Sequence, residues 1–143
     1  MRGVAVMDCK TENPAELVRK AMAARERAYA PYSGFRVGAA LLAGGDRIYT
    51  GCNIENSSYG LTCCAERVAL FKAVSEGERD FPAIAVVSDS EDFCSPCGAC
   101  RQALAEFGQQ MKVYMCSSRG QYQERTLEDL LPAHFSLLPG SVK

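Results

Sequence analysis

The sequence predicts an α/β fold: a three-layer α/β/α arrangement about a mixed five-stranded sheet, with elements in the order α-β-β-α-β-α-β-β-α. Three observations predict it. Two apolar stretches flank the turn "AGGD" at 43–46 and read as an antiparallel hairpin. Further on, two helical stretches are each followed by a strand-like run, the pattern of crossover units. The run "PAIAVVS" at 82–88 is apolar without alternation, as expected of a buried strand.

The elements follow in order. In "ENPAELVRKAMAARERAYA", Asn13 is placed to cap a helix, Pro14 suits its first turn and Glu16 closes a capping box. Leu17, Ala21, Ala24 and Ala28 then share one face. "FRVGAALLAGGDRIYTGCNIEN" gives two strands, the second from about Arg47 to Glu55. A helix is expected from about Cys64 to Ser75, ended by Gly77, and another over "SPCGACRQALAEFG", closed by Gly108. "MKVYMCS" reads as a strand, "QYQER" as a weaker one, and "TLEDLLP" as a short capped helix stopped by Pro132. The 143 residues suit a single domain spanning 1–143, with 1–12 and 137–143 expected to be loosely ordered.

Composition narrows the function. Sixteen basic residues oppose seventeen acidic ones, and no stripe of Lys and Arg offers the footprint that a nucleic-acid polymer needs. A small neutral substrate is compatible. The start "MRGVAVMDCK" has too short an apolar run for an export signal, and no later stretch approaches a membrane span. The expected location is cytoplasmic, where "NSS" at 56–58 is a polar turn rather than a glycosylation site. Gly44-Gly45 is turn chemistry, since no strand, Gly-rich loop and helix follow one another there to cradle phosphate.

The eight cysteines are 9, 52, 63, 64, 94, 97, 100 and 116. In a reducing compartment the spacing of the clustered ones points to metal or catalysis rather than to cross-links. Cys9, Cys52 and Cys116 stand alone and read as small buried apolar residues. With Thr62 and Ser95 as N-caps, Cys64 and Cys97 each fall at the second helical position, and Cys100 lies one turn on. A helix start favours the thiolate, and three thiolates can hold a tetrahedral zinc with one position open. Arg67 and Arg101 follow Cys64 and Cys97 by three and four residues; each can donate to a liganding sulfur or simply solvate a surface. Spacing leaves Glu66 without a role, since positions i and i+2 of a helix face different ways. It also leaves the choice between Cys63 and Cys64 open.

"CAE" at 64–66 followed by "PCGAC" at 96–100 resembles the signature of the zinc-dependent cytidine deaminases. The similarity runs through "FRVGAALL", "GCNIEN" and "CRQALAEFG" to "LLP", over roughly residues 15–136, and is to the short, homotetrameric type. It implies a cytidine deaminase-like fold and a hydrolase that converts free cytidine and deoxycytidine to uridine and deoxyuridine plus ammonia, in pyrimidine salvage. It implies one Zn²⁺ per subunit on Cys64, Cys97 and Cys100, with Arg67 and Arg101 bonded to the thiolates and Glu66 shuttling protons. Phe35 then packs on the base, the backbone of Ala65 reads its edge, and Asn53 and Glu55 bind the ribose 3′-hydroxyl. Ser57, Tyr59 and Phe135 reach the substrate from neighbouring subunits. The residues alone permit plainer readings: Asn53 and Glu55 share a face at a strand end that could turn into solvent, and Phe35 and Phe135 could be core aromatics. Two rivals are a structural Cys₄ site, completed by Cys94, and a deaminase of another aminated heterocycle, of the blasticidin S type.

Overall fold

The computed structural model describes residues 13–139. The expected loose ends at 1–12 and 140–143, and Cys9 with them, lie outside the described residues, whereas 137–139 are described. The elements are α1 (Pro14–Arg25), β1 (Val37–Leu42), β2 (Ile48–Cys52), α2 (Ala65–Ser75), β3 (Ala83–Ser88), α3 (Gly98–Ala105), β4 (Lys112–Cys116), β5 (Tyr122–Thr126) and α4 (Leu127–Leu130), in the order expected. Single 3₁₀ turns stand at Gly44–Asp46 and Tyr59–Leu61.

The five strands form one mixed sheet in the order β2-β1-β3-β4-β5. β1 pairs antiparallel with both β2 and β3, β3 is parallel to β4, and β5 returns antiparallel to β4. Alternate side chains of the central strands enter two separate cores. Ala40 and Leu42, Ala85 and Val87, and Tyr114 and Cys116 meet Leu17, Val18 and Ala21 of α1 on one face. Ala39 and Leu41, Ile84 and Val86, and Val113 and Met115 meet α2, α3 and Leu127 of α4 on the other. Helices therefore cover both faces, which is why these strands read as unbroken apolar runs. Burying each Leu, Ile or Val of this set contributes about 1.5–3 kcal/mol relative to leaving it exposed.

Two glycines fix how closely the helices approach. A Cβ at Gly38 would lie 2.1 Å from the Ala21 carbonyl oxygen, so the backbone of α1 rests on β1. A Cβ at Gly51 would lie 2.4 Å from the Ala65 carbonyl oxygen and 2.6 Å from the Ala69 nitrogen. Ala65, Ala69 and Ala73, at i, i+4 and i+8, are fully buried on that contact, so small side chains on both partners set the height of α2 over the sheet.

Three boundaries differ from expectation. β2 stops at Cys52, and the chain stays extended only through single bridges from Ile54 to Tyr29 and to Cys63. Thr62 and Ser95 are not the caps: Cys64 and Cys97 are themselves the N-caps of α2 and α3, both with extended backbone (ψ 155° and 169°). For Cys64 the reason is the Ile54–Cys63 bridge, whose reciprocal 3.0 Å hydrogen bonds hold residue 63 out of a helix. At α3 the Cys97 sulfur itself accepts from the Cys100 N–H, as a capping side chain does. At α1 the Asn13 side chain accepts from the Glu16 N–H as expected, while Ala28 falls beyond the helix. Thr126 and Asp129 make a reciprocal capping box at α4. Cys116 is buried, as expected, whereas Cys52 is only partly so.

Candidate metal centre

The close approach of α2 to β2 and of α3 to α2 brings two helix starts together. The sulfurs of Cys64, Cys97 and Cys100 all lie within 4.8 Å of one another, and those of Cys64 and Cys97 are 3.9 Å apart. A tetrahedral zinc with Zn–S bonds of roughly 2.3 Å requires sulfurs about 3.8 Å apart, so the spacing fits. The donor set also fits, since three thiolates are soft ligands suited to zinc. Cys64 accepts from the Cys100 thiol and from Arg67 Nη2 at 3.4 Å, which together pull its thiol down to about 5 against the opposing effect of burial. The same Cys100–Cys64 bond, with burial, pushes the Cys100 thiol up.

Cys63 and Cys94 stand outside this group. The backbone of Cys63 is held in the bridge to Ile54, and burial raises its thiol. Cys94 donates its N–H to the Cys116 carbonyl at 3.0 Å, and burial pushes its thiol up to about 12. Among the described residues no fourth cysteine joins the cluster, and the Cys₄ reading loses its last ligand.

Glu66 is 4% exposed, and desolvation, with the Cys64 charge adding, pushes its carboxyl up to about 7. It lines a cavity of about 210 Å³ together with Cys64 and Cys97. The i, i+2 objection does not apply, because Cys64 is the extended cap residue and not part of the helix that carries Glu66. A carboxyl that changes protonation near neutrality, beside a cluster able to hold a metal, can both accept and return a proton.

Phe35, Asn53 and Ala65 line the same cavity, Phe35 being 44% exposed rather than a core aromatic. Asn53 is almost buried: its Oδ1 accepts from the Val37 N–H at 2.9 Å and its Nδ2 donates to the Phe35 carbonyl at 2.8 Å. One N–H and one lone pair of that amide are left for another partner.

Through Thr62 the cavity adjoins a second one of about 350 Å³, lined by Tyr32, Ser33, Glu55 and Tyr59. Together the two fall in the range of small-molecule sites, roughly 300–1,000 Å³. Glu55 accepts from the N–H groups of Tyr32 (2.9 Å) and Ser33 (3.2 Å) and from Ser33 Oγ, which hold its carboxyl below the usual range. Ser57 is bonded to the Tyr32 hydroxyl at 2.5 Å, and Tyr59 stacks edge-on to the Tyr32 ring.

Phe135 is 67% exposed rather than a core aromatic and lines neither cavity of its own chain. One residue lies elsewhere than expected. Arg101 does not bond a sulfur: its guanidinium donates to the Pro96 carbonyl, the Leu130 carbonyl and Ser95 Oγ. The cause is helical phase. Arg67 is the third residue after its cap and Arg101 the fourth, about 100° further around the axis. Sequence reasoning missed Tyr32, Ser33 and Thr62. The turn signal "PYSG" at 31–34 was available, but only the fold shows that it faces Glu55.

Comparison with known proteins places this geometry. Residues 11–117 match the family described as the cytidine and deoxycytidylate deaminase zinc-binding region. The chain belongs to the cytidine deaminase family. A cytidine deaminase of Sporosarcina psychrophila is 57% identical over 122 residues, covering 85% of this chain and 90% of that protein. The crystal structure of cytidine deaminase from Burkholderia pseudomallei superposes with a TM-score of 0.83 at 46% identity, covering 87% of this chain and all of that one. A blasticidin-S deaminase of Bacillus cereus is more distant, 32% identical over 108 residues, covering 70% of this chain and 76% of that protein. The mixed sheet with its helices is the cytidine deaminase arrangement, and its zinc-binding region contains the three-thiol cluster.

Proposed function

We propose that this chain, as a single catalytic domain, hydrolyses the exocyclic amine of free cytidine and deoxycytidine, giving uridine or deoxyuridine and ammonia. The observation that carries the reading is one cavity walled by both the thiol cluster and the buried carboxyl of Glu66. Cys64, Cys97 and Cys100 would hold zinc, which when bound supplies a water acidified from a pKa of 15.7 toward about 7. Glu66 would take a proton from the attacking water and deliver it to N3 of the pyrimidine as oxygen adds to C4; it would then carry the proton of the new C4 hydroxyl to the amine as the C4–N bond breaks, giving ammonia. Arg67 withdraws charge from the Cys64 sulfur, offsetting the excess negative charge of three thiolates. Phe35 packs on the base, the backbone of Ala65 reads its edge, and Asn53 and Glu55 receive the ribose 3′-hydroxyl.

The outer cavity favours a nucleoside over a nucleotide. Among the described residues its lining side chains are a carboxylate and hydroxyls with no Lys or Arg, so a 5′-phosphate there would meet repulsion. Its rim is also unusually apolar, with Tyr59 75% and Leu61 70% exposed. This supports a homotetramer in which Ser57, Tyr59 and Phe135 serve a neighbour's site. Thiols spaced for a metal rather than for cross-links support a cytoplasmic setting within pyrimidine salvage; no helix among the described residues is long and apolar enough to cross a membrane.

The test is ultraviolet absorbance with cytidine, deoxycytidine and cytidine monophosphate as substrates, beside light scattering for the assembly. Steady loss of the first two, abolished by chelation and restored by Zn²⁺, is expected from particles of four-chain mass, with the monophosphate untouched. A folded, zinc-loaded protein that converts neither nucleoside overturns the reading, and turnover of another aminated heterocycle would redirect it.

A further inference from the structure

Between the end of β3 at Ser88 and the start of α3 at Gly98 the chain has neither helix nor strand, and Cys97 closes this segment. Of the three clustered thiols Cys97 is the exposed one, while Cys100 is buried and Cys64 partly so. Packing therefore gives Cys97 the least support, and something else must hold its loop.

Arg101 stands where that support is needed. Its side chain runs back over the first turn of α3, as helical side chains do. Nε donates to the Pro96 carbonyl at 2.8 Å, one Nη to Ser95 Oγ at 2.6 Å and the other to the Leu130 carbonyl at 2.7 Å. Leu130 is the last residue of α4, where carbonyls lack partners within the helix. One planar guanidinium thus ties the two residues preceding Cys97 to the end of α4. The backbone adds to this, with the Arg101 N–H bonded to the Cys97 carbonyl at 2.9 Å and the Pro96 ring fully buried. A lysine, with a single nitrogen, cannot span three acceptors in a fixed fork.

We infer that Arg101 is a positioning residue that holds the Ser95–Pro96–Cys97 loop at the metal cluster by clamping it to the C-terminus of α4. It acts on the metal through the loop, whereas Arg67 acts by direct contact with a sulfur. The inference rests on the deaminase reading only in taking Cys97 as a zinc ligand.

The test measures zinc release from the holoprotein to a chromophoric chelator, alongside hydrogen exchange of the 89–97 segment and the thermal midpoint. Arg101→Ala should release zinc about 10–100-fold faster, the usual cost of losing a partner that orients a metal ligand. Exchange should rise in 89–97 and stay unchanged in α1, and Arg101→Lys should fall between Arg101→Ala and wild type. Gln102→Ala, the neighbouring position, whose side-chain amide donates to the Phe135 carbonyl and not to the loop, should release zinc at the wild-type rate. The inference is overturned if Arg101→Ala matches wild type, or if its faster release comes with evenly raised exchange and a lowered midpoint. Should Arg101→Ala not fold, Ser95→Ala removes one acceptor; unchanged release and exchange there would also overturn it. A wild-type protein that holds zinc yet converts no cytidine would defeat the deaminase reading while leaving these comparisons intact.

Discussion

The inner cavity at the thiol cluster and the outer cavity beside Glu55 share Thr62 and are built on opposite plans. The inner one is anchored on the first turns of two helices packed to the sheet, and its carboxyl, Glu66, is 4% exposed and shifted by desolvation. The outer one is made of turns. Its carboxylate is held below the usual range by local hydrogen bonds from Ser33 and Tyr32, and its aromatics stand in solvent. Desolvation makes a group reactive but demands rigid, long-range packing, which one chain supplies only around its own core. Recognition of a sugar hydroxyl needs placed hydrogen bonds and not a shifted pKa, so loops suffice.

That contrast can be broken first at Glu66. Glu66→Gln should lower turnover by roughly 10²–10⁴-fold, the usual worth of a positioned acid–base group, while metal analysis still finds one zinc per chain. Loss of zinc together with activity would mean that the carboxyl shapes the site rather than shuttling protons. Glu55→Gln should act differently, raising KM for cytidine by about 10–100-fold through weakened charge-assisted hydrogen bonds, with zinc content unchanged. Equal kinetics in mutant and wild type would remove Glu55 from the substrate site.

Gly51→Ala probes the support of the inner cavity. Its Cβ meets backbone atoms of Ala65 and Ala69, which cannot turn aside as a side chain could, so α2 must lift. Denaturant unfolding should show about 1–3 kcal/mol of lost stability, and kcat should fall as Cys64 and Glu66 move with the helix. Unchanged stability would show that α2 tolerates the lift.

The smallest effect is expected at Asp89, where the Arg36 side chain holds the carboxyl below its usual range and the Arg36 N–H bonds Asp89 Oδ2 at 2.9 Å. A depressed folded-state pKa gives a contribution that is full above the ordinary carboxylate range and lost as pH falls through the depressed value. Asp89→Asn should therefore flatten the acid side of a plot of thermal midpoint against pH, from the ordinary carboxylate range downward. Parallel curves for the two proteins would show that this pair contributes nothing.

Much of the fold was legible because local pattern and environment agree. The hairpin, the unbroken apolar strands and the caps at Asn13 and Thr126 are each set by neighbours within a few residues. The site was legible in composition and not in register. Cys64 and Cys97 were expected inside their helices, but the Ile54–Cys63 bridge delays the start of α2, the Cys97 sulfur caps α3, and both cysteines are caps. That shift is what lets Cys64 share a cavity with Glu66. Arg67 and Arg101 looked equivalent, and one position of helical phase separates a bond to sulfur from a clamp on a loop.

By itself, then, the sequence determined the type and order of the elements, the α/β class and the presence of thiols near two helix starts. Periodicity and capping are properties of short stretches of chain. Only the tertiary structure decided which of two adjacent cysteines enters the cluster, which arginine touches it, and that Tyr32, Ser33 and Thr62 wall the site. Those outcomes depend on contacts between separate segments, above all the pairing of Ile54 with Cys63 and the seating of α2 on Gly51. No pattern within one element encodes the direction in which another element meets it.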